Sequence, residues 1–507
     1  MQNQGLGSWA ARRRIKSAGA TAFIFDDVAT TYDELFDQSN QLAHALRDSG
    51  VRAGDRVGYL GENHPSFIVT FLASTQLGAL FVPLNTRLAP AEVAYALENS
   101  GVSVLIHSAA LAPLAVQGSA GTSLRLIQAD GIPHEPSATT LAEFTADAPT
   151  TFMDTPVTHD DPALILYTSG TTGRPKGAVL SHGNLIWNAL NAIVDSDISS
   201  REVSLMVSPL FHAAALGMGL LPVLMKGGTL VLEAGFDAGR ALMLIEKHGV
   251  TMMSGVPTTF QLIAEHPDWD STDLSSMERL TCGGSAIPAR VLEAFEKRGL
   301  AFTLGYGLTE TAPGASIMPP RFSQSKAGSS GLPHFFVAMR IRSEEGAEVA
   351  VGEVGEIQVR GPNVIREYWN NSEASREAFA DGDWFKTGDM GYLDDEGFVF
   401  IADRLKDMII SGGENIYPAE IEHVIYELPG VTAAAVVGAP DEKWGEVPWV
   451  ILTVADGITI TLDDLRAHLT DRVARYKIPK NLFVIDEMPR TASGKIRKGD
   501  LRQRFIG

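Results

Sequence analysis

One cysteine, Cys282, occurs among 507 residues. A single thiol excludes an intrachain disulfide and a cysteine-based metal cluster, and it favours a reducing, cytoplasmic setting. As a nucleophile Cys282 competes poorly with its reading as a small packed residue. No run of about 18 apolar residues is present, so no transmembrane helix is expected. Positive charge is in deficit: 41 Lys and Arg against 61 Asp and Glu give a net charge of −20. That balance argues against general nucleic-acid binding. It leaves anionic small ligands open, because a local cationic loop dominates at short range. Arg12-Arg13-Arg14-Ile15-Lys16 is followed by no long apolar stretch, so no signal peptide is expected. The cluster reads as a solvated helix face, with peripheral contact to anionic lipid as the lesser alternative.

Several common catalytic strings are also missing. Gly170 begins no Walker loop, since Pro175 stands where the second glycine belongs. Gly217-Met218-Gly219 has Pro222 in place of the third glycine of a dinucleotide fingerprint. Gly283-Gly284-Ser285 is followed by Ala286-Ile287 and so makes no nucleophile elbow. There is no His-Glu-x-x-His pair.

What is present describes a globular protein with ample core: 45% hydrophobic and 20% charged residues, over a length that calls for two or more domains. Short apolar strings alternate with helical spacings. Ala22-Phe23-Ile24-Phe25 precedes Thr31, which with Glu34 three residues on looks like a capped helix start. Val57-Gly58-Tyr59-Leu60, Val104-Leu105-Ile106, Leu164-Ile165-Leu166 and Leu230-Val231-Leu232 continue the alternation. The fold class expected is α/β, with parallel sheets covered by helices. From about residue 337 to 404 shorter strands and turns suggest a small β-rich subdomain. The polar stretch from Ala402 to Asp407 reads as a turn or an interdomain hinge, and the last hundred or so residues as a small α+β domain. No repeat is found.

Tyr167-Thr168-Ser169-Gly170-Thr171-Thr172-Gly173-Arg174-Pro175-Lys176-Gly177 follows an apolar strand. Its glycines allow close backbone approach, its hydroxyls and N–H groups donate to phosphate oxygens, and its cations offset charge. It suits a polyphosphate. With Gly305-Tyr306-Gly307-Leu308-Thr309-Glu310-Thr311, Thr387-Gly388-Asp389 and Pro489-Arg490-Thr491-Ala492-Ser493-Gly494-Lys495-Ile496, it resembles the adenylate-forming superfamily, and bacterial fatty acyl-CoA synthetases in particular.

The resemblance implies a residue-by-residue assignment. The loop with Thr168, Ser169, Gly170, Thr171, Thr172, Gly173 and Lys176 would contact the β- and γ-phosphates of ATP. Gly283, Gly284 and Ser285 would lie against adenine, with Tyr306 stacked on it beside Gly307. Thr309 would meet the α-phosphate, and Glu310, with Thr168, would hold Mg²⁺. Asp389 would bind the ribose, and Arg404 would contact the ribose or a phosphate. Lys495 would bridge substrate carboxylate and ATP. A pivot at Lys406 would separate an adenylation domain, 1–404, from a mobile domain, 405–507. After rotation Gly412 and Gly413 would line a pantetheine tunnel, and Trp444, Tyr476 and Lys477 would touch CoA; Ile478 departs from relatives that carry a cation there.

Pro209-Leu210-Phe211-His212 resembles the family's string at the acyl pocket, whose walls would include His212, Ala213, Gly217, Val256, Gly305 and Gly307. They carry few charges and no cation for a second carboxylate. Small Gly307 would leave room for an extended chain. The expected reaction is ATP-dependent conversion of a hydrophobic monocarboxylate to acyl-AMP, then to acyl-CoA, with a medium- or long-chain fatty acid ahead of an aromatic acid. Transfer to a carrier-protein thiol and a catalytically silent nucleotide-binding protein are the rival readings. The partners expected are the acid, ATP and CoA, and the oligomeric state stays open, a homodimer being one option.

Overall fold

Parallel pairing dominates two large sheets in the computed structural model, which describes every residue except 133–137, 169–174, 284–286, 288, 344, 405–406, 412–413, 443, 471, 474, 492–493 and 507. The first sheet has nine strands, in the order Leu332–Pro333, Gly314–Ile317, Phe302–Gly307, Arg279–Gly283, Met252–Gly255, Val203–Met206, Thr229–Leu232, Thr21–Phe25 and Val28–Thr31. Its central strands, from Phe302–Gly307 to Thr21–Phe25, are mutually parallel. The second sheet, of seven strands, runs Glu367–Tyr368, Lys176–Ser181, Pro162–Thr168, Leu80–Pro83, Arg56–Leu60, Val102–His107 and Arg125–Gln128.

Purely parallel sheets were the simplest expectation, and the edges depart from it. Pro162–Thr168 and Lys176–Ser181 pair antiparallel. The connection from Thr168 to Lys176 is too short for a crossover and long enough for a hairpin. Thr168 stands opposite Lys176 at the end of this pairing, and residues 169–174 of the phosphate-loop string lie outside the described residues.

The largest core lies between the sheets. It joins Phe23 and Leu230 of one sheet to Val57, Phe81 and Leu164 of the other. Helix Pro65–Gln76 runs through it and buries every residue from Ser66 onward. A helix buried all round must satisfy its polar groups internally. Thr70, Ser74 and Thr75 hydroxyls donate to carbonyls one turn back, at 2.6 to 2.8 Å, and Gln76 reaches Asn40 at 2.6 Å. Helix Tyr32–Asp48 begins with the capping box expected of Thr31 and Glu34. A second core covers the outer face of the first sheet under helices Ala238–His248, Pro257–Ala264 and Ala289–Glu296.

A five-stranded sheet built on Gly355–Arg360 and Trp384–Leu393 forms the β-rich portion. The small C-terminal domain has its own five-stranded sheet. Its strand Val431–Asp441 sends Val431, Ala434 and Val436 to one core and Ala433, Ala435 and Val437 to another. Burial on both faces explains why this string is apolar without alternation. The N-terminal basic cluster lies on helix Trp9–Ser17, where Arg13 donates to the Lys226 carbonyl at 2.9 Å and Arg14 pairs with Asp33 at 3.2 Å. No helix of the described residues is long and apolar enough to cross a membrane.

Candidate active site

In open α/β sheets ligands settle beyond the carboxyl ends of the strands. Here those ends belong to Met252–Gly255, Arg279–Gly283 and Phe302–Gly307, and on or just beyond them lie Val256, Gly283, Gly305, Tyr306, Gly307, Thr309 and Glu310. Gly283 lies opposite Gly305 in register. A β-carbon on Gly305 would come no closer than 3.7 Å to the Ser316 carbonyl oxygen, so the backbone does not demand this glycine. It leaves open floor instead.

Gly307 is different. A β-carbon there would fall 1.7 Å from the Pro313 carbonyl oxygen, so its smallness serves a close backbone approach and not an extended substrate chain. Gly217 has the same role, facing the Ala312 carbonyl oxygen at 2.4 Å. Two of the expected pocket glycines thus hold the turn that follows the Thr309–Thr311 helical turn, and the expectation for Gly307 is corrected accordingly.

On the nucleotide side, the Tyr306 hydroxyl donates to the Asp389 carboxylate at 2.8 Å. Asp389 is buried and stands opposite Arg404 in strand register. Thr387 braces this strand end, its hydroxyl accepting from the Asp389 N–H at 3.1 Å. Glu310, also buried, accepts from the Tyr368 hydroxyl at 2.9 Å. Burial, then the neighbouring Glu310 carboxylate, drives the Tyr368 phenol well above its ordinary range. Strand Glu367–Tyr368 pairs with Lys176–Ser181, and the Lys176 ammonium lies 5.4 Å from the Tyr368 ring centre. Thr168, Lys176, Tyr368 and Glu310 are therefore one connected group. Ser169, Gly170, Thr171, Thr172 and Gly173 lie outside the described residues, as do Gly284, Ser285, Lys406, Gly412 and Gly413.

On the acid side, His212 has a ring Nε2 shut off from solvent and without a hydrogen-bond partner among the described residues. Burial is the main cause that lowers its pKa to about 4, followed by the positive charges of Lys495 and Arg87. Lys495 thus acts on His212 across the domain boundary. Gly494, next to it, approaches the Val256 side chain so closely that an added β-carbon would lie 3.2 Å away. Gly494 and Lys495 of the small domain therefore lie close to Val256 and His212. Ala213 is buried one residue beyond His212. Of the expected CoA contacts, Trp444 and Tyr476 are exposed, and Lys477 is tied to Glu420 at 2.6 Å.

Three further residues support the site. Tyr368 orients Glu310 as described. Asn188 donates to the Gly217 carbonyl and accepts from the Gly314 N–H, each at 2.9 Å. Asn363 donates to the carbonyls of Thr311 and Gly314 at 2.6 and 2.7 Å. Only long-range packing brings them together; no local string marks them.

The two glycines make a paired prediction. Gly307→Ala should displace the turn and abolish nucleotide-dependent turnover. Gly305→Ala should fold and raise the KM for the acid by roughly tenfold, the effect of a methyl in a snug pocket. Equal behaviour of the two variants would contradict the assignment. A second prediction concerns His212. Its folded pKa lies below the ordinary 6.5, so the unfolded chain takes up this proton first on acidification. The stabilising effect of the neutral ring is complete above about pH 6.5 and is lost as pH falls toward 4. His212→Asn should flatten the decline of the thermal midpoint across that window; an unaltered decline would refute the burial argument.

A family model described as AMP-binding enzyme matches residues 10–369, and one described as AMP-binding enzyme C-terminal domain matches 420–495. The chain is 49% identical over 507 residues to a protein named Feruloyl-CoA synthase from Amycolatopsis sp, covering 100% of both chains. It is 38% identical over 513 residues to Long-chain-fatty-acid--CoA ligase FadD13 of Mycobacterium tuberculosis, covering 100% of this chain and 99% of the other. The solved structure of o-succinylbenzoate CoA synthetase (MenE) from Bacillus subtilis, in complex with its acyl-adenylate intermediate, is similar with a TM-score of 0.87 at 34% identity over 98% of each chain. The chain belongs to the AMP-binding enzyme family of the adenylate-forming superfamily, and it is an AMP-forming acid–CoA ligase.

Proposed function

We propose that this enzyme activates an aromatic monocarboxylic acid as acyl-AMP and passes the acyl group to CoA. The observation that carries the reading is the convergence of Lys495, His212 and Val256 over the pocket mouth, beside the Tyr306–Asp389 and Glu310–Tyr368 pairs. In the first step a carboxylate oxygen attacks the α-phosphorus of ATP and pyrophosphate leaves. Two anions must meet there, and Lys495 places a cation between them. Neutral His212 can hydrogen-bond the acid without adding charge. Thr309 meets the α-phosphate, and Asp389 and Arg404 hold the ribose. The string from Ser169 to Gly173, with Lys176, cradles the phosphates that leave. Glu310 and the Thr168 hydroxyl form an all-oxygen donor set that fits Mg²⁺. A bound Mg²⁺ would screen charge between the phosphates and Glu310.

In the second step the CoA sulfur attacks the acyl carbon and AMP departs. Rotation of residues 405–507 about Lys406 would withdraw Lys495 and bring Gly412 and Gly413 to the site, with Trp444, Tyr476 and Lys477 toward CoA. The single buried thiol favours a cytoplasmic reaction. An aromatic acid is placed ahead of a fatty acid because the 49% identical relative is named for a feruloyl substrate. A medium- or long-chain fatty acid is the second reading, favoured by the 38% identical FadD13 ligase.

Incubation with ATP, Mg²⁺ and a panel of aromatic and aliphatic acids should release AMP and pyrophosphate, with thioester formed only when CoA is present. Release of ADP, or of pyrophosphate with no thioester, would overturn the reading. Lys495→Ala should lose on the order of 10²–10³ in adenylation rate while still converting preformed acyl-adenylate and CoA. Equal loss in both half-reactions would rule out alternation.

A further inference from the structure

Three side-chain hydroxyls stand level across adjacent parallel strands of the first sheet. Ser254 is the register partner of Thr281, and Thr281 of Thr303. Met253, Leu280, Cys282 and Phe302 belong to the core beneath the outer helices. Side chains alternate along a strand, so the three hydroxyls project from the opposite face. On that face Met252 joins the core that includes Leu210, Phe211 and Leu216. The π-helical segment Ala215–Leu220, which follows His212 closely in the chain, packs against the Met252–Gly255 strand of the row and against Val203–Met206 beside it. The row therefore faces the acid pocket.

The levels differ in character along the pocket. Val256, beneath the lysine loop, lies two residues beyond Ser254, and Gly283 and Gly305 lie two residues beyond Thr281 and Thr303. Each step of two residues is roughly 7 Å along the strand. A ligand reaching from Lys495 toward the row thus passes Val256 and the bare backbone of Gly283 and Gly305, which leaves width for a planar ring, and ends among hydroxyls. The Ser254 Oγ is buried and has no hydrogen-bond partner among the described residues. An alkyl chain over this row would leave hydroxyls unmatched, whereas oxygen substituents on a ring would satisfy them.

We propose that Ser254, Thr281 and Thr303 form the distal wall of the acid pocket and bind hydroxyl or methoxyl oxygens of an aromatic carboxylate. The substrate class is then an oxygenated aryl acid with its carboxylate on a short spacer. This deepens the ligase reading and rests on it. Neutral hydroxyls serve better than a charged residue here, because a phenol or an ether can be matched without the desolvation of an ion.

The full-length enzyme, with ATP, Mg²⁺ and CoA, should be compared on 3-phenylpropenoate, its 4-hydroxy and 4-hydroxy-3-methoxy derivatives, and decanoate. The wild-type kcat/KM should favour the oxygenated rings over the unsubstituted ring by about ten- to a hundredfold, the fold-change that corresponds to leaving a buried neutral hydroxyl unmatched. Ser254→Ala should bring that ratio toward one, chiefly through a higher KM for the oxygenated acids. Isosteric Thr281→Val and Thr303→Val repeat the test with less change of volume, and the KM for ATP reports a folded nucleotide site. A wild-type ratio near one, a preference for decanoate, or a ratio the variants leave intact would overturn the proposal while the ligase activity stands. Absence of pyrophosphate release with every acid would overturn both.

Discussion

The approach of the Gly307 α-carbon to the Pro313 carbonyl is the constraint on which the site depends. The chain after the Phe302–Gly307 strand turns back so tightly that a β-carbon would fall 1.7 Å from that oxygen. The turn is held from the other side by Gly217, and from above and below by Asn188 and Asn363. Glu310 and the Thr309 hydroxyl ride on its leading edge, the pocket floor on its trailing edge. In the proposed reading, one piece of backbone would position both nucleotide and acid. Hydrogen bonds from buried amides hold it in place, where an unmatched carbonyl would cost about 1–3 kcal/mol.

Charge is handled differently on the two sides of that turn. Buried carboxylates, Glu310 and Asp389, each receive a phenol hydroxyl, from Tyr368 and Tyr306. A phenol supplies a hydrogen bond without adding a cation. At His212 the arrangement differs: the imidazole is kept neutral by burial, and a lysine from the small domain adds positive charge. In the proposed reaction Lys176 and Arg404 would be the stationary cations, and Lys495 the one that arrives on the small domain.

Much of this was legible in the sequence, and the parts that were not have a common cause. Thr31 with Glu34 and the apolar strand strings are local signals, and the fold carries them where expected. Gly307 was expected to leave room for an extended chain, whereas its missing β-carbon faces the Pro313 carbonyl, because composition does not say whether a backbone or a ligand fills the space. Tyr368, Asn188 and Asn363 act on partners 58, 126 and 52 residues away. No spacing rule reaches that far. The antiparallel hairpin at the edge of the second sheet followed from loop length, which periodicity alone does not register.

The register of Asp389 with Arg404 has a mechanical consequence. Strand pairing carries Arg404 to within two residues of Lys406. In the proposed rotation about Lys406, Asp389 and Arg404 would stay with their sheet at the bearing of the swing, while Lys495 would sweep a longer arc on the moving arm. A small error in angle would then barely disturb the nucleotide, yet it would carry the lysine out of reach of the carboxylate.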